Sequence, residues 1–243
     1  MRVATSTMKW DMAERFMNSG ITITITTMAM TTSIDPRLLQ LASPTLPVGA
    51  YSYSGGLEAA VEAGIVKDAP SAQQWIADVL EFSLSRMEAP IFLRLMKRPE
   101  DSKKWNEIFL ASRETAELRA ETAQMGFSLN KLLPELGLER LAMDEVSFPA
   151  AFAHAASSWK IEAKDALTAY LWSWVENQVM AAIKAVPLGQ TDGQRMLLSL
   201  GKRIEETVGQ ASAIQDEELG NFVPGLAMLS AQHETQYSRL FRS

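Results

Sequence analysis

An all-α fold is predicted by three features of this 243-residue chain. From Asp35 onward no segment alternates apolar and polar residues as a strand does. Apolar residues recur instead at helical spacing, and prolines and glycines punctuate the segments that carry them. The expected architecture is one compact domain over residues 34–243, with about ten helices around a hydrophobic central helix, preceded by a disordered extension over residues 1–33.

The first element begins at Asp35-Pro36, where Asp caps and Pro occupies the first turn, and Leu38, Leu39 and Leu41 follow as a short apolar face. Ser43 to Gly49 holds two prolines three residues apart and is expected to be an extended loop. Helix resumes near Ser54, carries Leu57, Ala60 and Val61, and ends at Gly64. Ser71 and Gln74 resemble a capping box ahead of the stripe Ile76, Val79, Leu80, Leu84 and Met87, with Pro90 bounding or kinking the helix. Lys103 to Leu133 lacks proline and predicts one long helix, wet along Arg113, Glu114, Glu117, Arg119 and Glu121. Glu162 to Val186 is the expected central helix, closed by Pro187-Leu188-Gly189. Met196 to Val208 and a segment from Pro224 complete the set.

Composition narrows the function. Hydrophobic residues make up 47% and charged residues 21%, the balance of a soluble globular protein. A formal net charge of -6 argues against nucleic acid as a partner. With no cysteine, disulfides, iron–sulfur clusters and thiol nucleophiles are excluded, and nothing contradicts a cytoplasmic location. The apolar run Leu167 to Val175 spans nine residues, far below the roughly 18–20 a bilayer requires, so no membrane span is expected. Near the start, Ile21 to Thr27 alternates as ITITITT, with Asp11 and Glu14 upstream, a pattern unlike a signal peptide. Met1 to Ala29 is either a disordered tail or upstream sequence read in frame, with native translation then beginning at Met30.

Catalytic patterns are mostly missing. The two histidines are His154 and His233. His233-Glu234-Thr235-Gln236-Tyr237 falls one residue short of the zinc-gripping H-E-x-x-H, which leaves a zinc-dependent hydrolase as an alternative. Glu58 and Glu62, one helical turn apart, form either a solvated face or a carboxylate pair for a cation or a basic partner. Lys184 either snorkels to solvent or pairs with an internal acid such as Glu176. The loop from Pro44 to Gly56 displays Tyr51, Tyr53 and serines on a stiff backbone, and the last residues read Tyr237-Ser238-Arg239-Leu240-Phe241-Arg242-Ser243. Both suit protein interfaces, the alternative for Leu240 and Phe241 being that they dock on the protein's own core. A general helical adaptor is thus a second alternative.

Leu41-Ala42-Ser43-Pro44, Leu46-Pro47-Val48-Gly49, Tyr51-Ser52-Tyr53-Ser54, Gly56-Leu57-Glu58 and Val61-Glu62-Ala63-Gly64 together resemble the opening signature of the UreF family of urease accessory proteins. Ser112-Arg113-Glu114-Thr115 with Glu117-Leu118-Arg119 is similar to that family's middle helix. Val179 to Ala182 with Lys184 and Val186 to Gln190 resembles its central helix end, and His233 to Phe241 its tail. Gly55 departs from the pattern, since many members carry a larger polar residue there.

The resemblance implies an all-α, non-catalytic protein that dimerises in a complex with UreD (UreH in some species), the GTPase UreG and apo-urease. The tail residues His233, Glu234, Tyr237, Ser238, Arg239, Leu240, Phe241 and Arg242 would meet the UreD-like partner. Tyr51, Ser52, Ser54, Gly56, Glu58 and Glu62 would face the UreG-like one. Lys184, with Glu176 on the same helix, would lie near an interior nickel path. No cofactor is expected, because nickel is cargo and GTP belongs to the partner.

Overall fold

The computed structural model describes residues 35–243, and among these every regular element is helical. The expectations for residues 1–33 and for a start at Met30 lie outside the described residues. Helix α1 (Pro36–Ala42) opens as its sequence indicates, with the Asp35 side chain accepting the Arg37 amide at 2.9 Å. The two-proline loop is irregular apart from a single turn at Ala50–Ser52, and it anchors itself by burying Leu46 and Val48. Helix α2 (Leu57–Glu62) starts three residues later than expected, because Gly55 and Gly56 both adopt left-handed backbone.

Helix α3 (Ala69–Val79) corrects the capping assignment. Asp68, not Ser71, is the cap: its carboxylate accepts the Ser71 amide at 2.9 Å, and Ser71 returns a bond to the Asp68 amide at 3.1 Å. Gln74 is already inside the helix and bonds Asp78. The chain then widens into a π-helical stretch, Leu80–Glu88, before α4 (Ala89–Lys97). Pro90 therefore bounds a change of register without breaking the rod. The carbonyl of Arg86, four residues before this donorless proline, accepts from Gly220 at 3.4 Å.

The expected long helix is two helices, α5 (Ser102–Ala111) and α6 (Ala116–Leu132). Thr115 takes extended backbone between them, and its hydroxyl caps the Leu118 amide at 3.2 Å. After α7 (Phe148–Ser158), the central helix α8 (Ala163–Ala185) is capped by Glu162, which accepts the Lys164 amide at 2.6 Å. It packs against α1, α2, α3, α4, α7 and also α9 (Gln190–Ala213), the last being longer at both ends than its apolar stripe. Its enclosure is incomplete, since Trp172 and Met180 are exposed. Helix α10 (Pro224–His233) leans on α2 and α6. None of the helices among the described residues is long and apolar enough to cross a membrane.

Around Tyr170 of α8 the core is aromatic, with the Phe92, Phe148 and Phe152 ring centres 4.9, 5.5 and 5.3 Å away. Burying rings of this size contributes roughly 2–3 kcal/mol each. The start of α7 is pinned by polar bonds as well: Asn106 bridges the Glu145 carbonyl and the Ser147 amide, each at 2.8 Å, and Thr122 accepts the Phe148 amide at 3.1 Å.

That pinning brings backbone against Gly126 of α6. A Cβ there would lie 2.0 Å from the Val146 carbonyl oxygen, whereas one on Gly209 of α9 meets nothing within 4 Å. Gly126→Ala should therefore destabilise by at least about 3 kcal/mol, the upper end of overpacking costs. Gly209→Ala should stabilise by about 0.5–1 kcal/mol through helix propensity. Urea denaturation of the two variants measures both signs, and equal effects would contradict the α6–α7 packing.

Candidate functional site

Three parts of the sequence converge at one end of the helical body: the Ser52–Gly56 loop, the first turn of α6, and the residues after α10. Left-handed backbone at Gly55 and Gly56 (φ 57° and 85°) makes the loop turn sharply onto α10, so close that a Cβ on Gly56 would sit 2.9 Å from Leu226 Cδ1. The turn leaves Ser54 fully buried. Its amide donates to the Ser243 carbonyl at 3.1 Å, and its hydroxyl donates to the same oxygen. Gly55 donates to the Ser243 hydroxyl oxygen at 3.3 Å, and Arg242 donates its amide to the Ser52 carbonyl at 2.8 Å. Loop and tail are thus joined mostly through main-chain groups of the tail, the Ser243 hydroxyl being the tail side chain among these bonds.

Glu58, in the first turn of α2, is the centre of this junction. Its side chain is buried, and its two oxygens accept the Leu240 amide at 2.7 Å and the Phe241 amide at 2.9 Å. His233 Nε2, fully buried, lies 3.2 Å from the second oxygen, and His233 Nδ1 lies 2.6 Å from Glu117 Oε2 on α6. Glu117 accepts in addition from Arg239 at 2.6 Å. His233 thus stands between a buried and a half-buried carboxylate, with a ring nitrogen within hydrogen-bond distance of each. Alongside, Glu234 accepts the Ala116 and Glu117 amides at 3.0 and 3.4 Å, capping α6 from the tail, and Ser230 and Thr115 share a hydroxyl bond of 2.7 Å.

One turn further along α6, Glu121 accepts from the Ser243 hydroxyl at 2.7 Å. Burial raises its carboxyl from the ordinary 4.5 to about 7, more than the Ser243 bond lowers it. Glu121 lines a cavity of about 130 Å³ together with Glu88, Arg113, Tyr170, Glu176 and Asn177. Glu88 accepts from the Tyr170 hydroxyl and pairs with Arg113 at 3.4 Å. Burial, then the neighbouring Glu88 charge, pushes the Tyr170 phenol far up. Desolvation likewise raises the Glu176 carboxyl.

The sequence-predicted residues divide by exposure. Tyr51, Glu62, Glu234, Tyr237, Ser238, Arg239, Leu240 and Arg242 are exposed, Ser52 is half-buried, and Ser54, Gly56, Glu58, His233 and Phe241 are buried. The Glu58–Glu62 pair is not a shared face: the tail covers only the first turn of α2, so Glu58 is enclosed and Glu62 is not. Lys184 does not pair with Glu176, which lies eight positions earlier in the helix, roughly 12 Å away along its axis. Its exposed ammonium lies over the Phe241 and Tyr51 rings, 5.6 and 6.0 Å from their centres. Helix α10 stops at His233, so Tyr237 does not follow one helical turn later as a zinc site would need, and His154 bonds the Glu139 carbonyl elsewhere. The wet face expected of Glu117, Glu121 and Arg113 is in fact the seat of the tail and of the Glu88 pair. A hint lay in Glu121, whose neighbour four residues back is the like-charged Glu117 and which has no cation three or four residues away on either side. Gln178 Nε2 is buried without a hydrogen-bond partner among the described residues and would stand 3.2 Å from a Cβ on Gly55, so a polar side chain at that departure point could reach it.

The UreF family model matches residues 66–201. Urease accessory protein UreF of Azoarcus sp. (strain BH72) is 55% identical over 221 residues, covering 85% of this chain and 94% of that protein. The protein of the same name from Dechloromonas aromatica (strain RCB) is 53% identical over 220 residues, covering 85% and 96%. That from Janthinobacterium sp. (strain Marseille) is 52% identical over 218 residues, covering 85% and 96%.

Glu58 is the residue whose loss should be felt most. Glu58→Ala strands two amides and a buried imidazole and should destabilise by about 3–5 kcal/mol, while Glu58→Gln, which keeps one acceptor, should cost about 2 kcal/mol. Chemical denaturation checks both, and values within about 0.5 kcal/mol of the parent would mean the tail is not held by this carboxylate.

Proposed function

The chain belongs to the UreF family of urease accessory proteins, and from that premise we propose that it is a non-catalytic scaffold for nickel delivery to apo-urease. It holds a UreG-like GTPase and a UreD-like (UreH-like) protein together, working as a homodimer within that complex in the cytoplasm. The observation that carries this reading is the interlock at Glu58. The tail proposed for the UreD-like partner and the loop proposed for the UreG-like partner are hydrogen-bonded to one another.

Exposed Tyr51, Tyr237, Leu240 and Arg242 provide the aromatic, apolar and guanidinium groups that dominate protein interfaces. The buried members of the set, Ser54, Gly56, Glu58, His233 and Phe241, act by fixing the backbone from which the exposed ones project. A rigid platform lowers the entropy lost on association. Nickel is cargo in this reading. Both ring nitrogens of His233 are committed to carboxylates, and His154 Nε2 lies 2.9 Å from the Glu139 carbonyl, an arrangement that suits passage better than storage. The cavity lined by Glu88, Glu121 and Glu176, apolar over most of its wall, would offer carboxylate oxygens to such a path, and Lys184 lies beside the tail.

Co-expression with the UreD-like and UreG-like proteins, followed by size-exclusion chromatography, tests this reading. The parent chain should co-elute with both. Tyr237→Ala/Leu240→Ala, whose side chains are exposed, should keep its melting temperature but weaken the UreD-like contact by roughly thirtyfold or more. Folded, soluble partners that fail to co-elute with the parent chain would overturn the scaffold reading.

A further inference from the structure

We propose that the seat of the tail is a proton-linked latch, in which Glu121 takes up a proton when Ser243 closes over it and gives it back when the tail lifts. The inference concerns the fold itself and stands whichever proteins the exposed tail residues meet.

The geometry singles out Glu121 among the carboxylates of the junction. Glu58 is served by two amides and His233, Glu117 by His233 and Arg239, and Glu88 by Tyr170 and Arg113. Glu121, among the described residues, has one neutral donor, the Ser243 hydroxyl, and no cation bonded to it. The groups facing it are Glu88 from the π-helical stretch, Arg113 from the turn before α6, and Glu117 on α6 itself. Tyr170 on α8 and Tyr53 on the loop, the latter beside Arg242, complete its surroundings. Two of these are carboxylates, and the Arg113 guanidinium is already engaged with Glu88. A charge on Glu121 under the docked tail is therefore both desolvated and repelled, and protonation relieves both at once.

Lifting Ser243 returns water to that carboxyl. The docked state thus binds more protons than the lifted one, so docking is strongest below the ordinary carboxylate value of 4.5 and weakens as pH rises through about 7. For a single site moving between those two values, docking weakens roughly thirtyfold from pH 5.5 to 8.5.

Hydrogen exchange of the Gly55, Leu240 and Phe241 amides, expressed as protection relative to the intrinsic rate at each pH, reads the latch directly. In the parent chain protection should fall roughly thirtyfold across that range, and in Glu121→Gln, which keeps an acceptor for Ser243 but does not titrate, it should stay flat. Protection independent of pH in the parent, or a pH dependence that survives Glu121→Gln, would overturn the proposal, in the second case by moving the proton to another group. Should Glu121→Gln not fold, carbon-13 titration of the Glu121 carboxyl decides the matter. Its midpoint should lie near neutrality in the parent and fall by about two pH units when Phe241→Ala unseats the tail. An identical midpoint in both would refute the link.

Discussion

A carboxylate cannot be buried without partners, and Glu58 is buried. Most of what distinguishes this end of the molecule follows from how that requirement is met. The donors come from 175 to 183 residues away, as His233 Nε2 and the Leu240 and Phe241 amides. Because two of the three are main-chain groups, the tail must run past α2 in one register, and that register sends Phe241 inward and Leu240 outward. It also brings Ser243 to Ser54 and Arg239 to Glu117. Each contact is modest alone. Their closure of a loop between distant segments is what makes the arrangement cooperative.

The same logic explains why α5 and α6 are separate. A continuous helix through Ser112–Thr115 would bury the amides of Ala116 and Glu117 in its own ladder and leave Glu234 without a role. With Thr115 extended, those amides are free to be capped from the tail, and the positive end of α6 faces a carboxylate. The break and the tail therefore depend on each other. The surface at this end is assembled from several parts of the chain, so the sequence of any one segment is a partial guide to what that surface presents.

This accounts for what was legible in the sequence. Elements set by local chemistry were readable: the Asp35-Pro36 start, the irregular two-proline loop, the Ile76 to Met87 stripe and the apolar run of α8 all follow from propensity and period. The motifs of the UreF family were also readable, and the identities of the matched relatives agree with them. Features decided by tertiary partners were not. Nothing near Thr115 announces that Glu234 will cap its helix, and Glu58 and Glu62 look equivalent until the tail covers one of them. Glu117 and Glu121 read as surface charges because a sequence does not say which face another segment will occupy. Asp68 was a local miss, for Ser71-x-x-Gln74 mimics a capping box while the acidic cap stands three residues earlier.

The claim on which the account rests is that the residues after α10 belong to the folded body of the free chain, held at Glu58. Backbone nitrogen-15 relaxation of the isolated protein tests it most directly. Order parameters of about 0.85 at Leu240, Phe241 and Ser243, matching those of α8, are the predicted result. Values below about 0.6 at those residues, with α8 rigid, would contradict it.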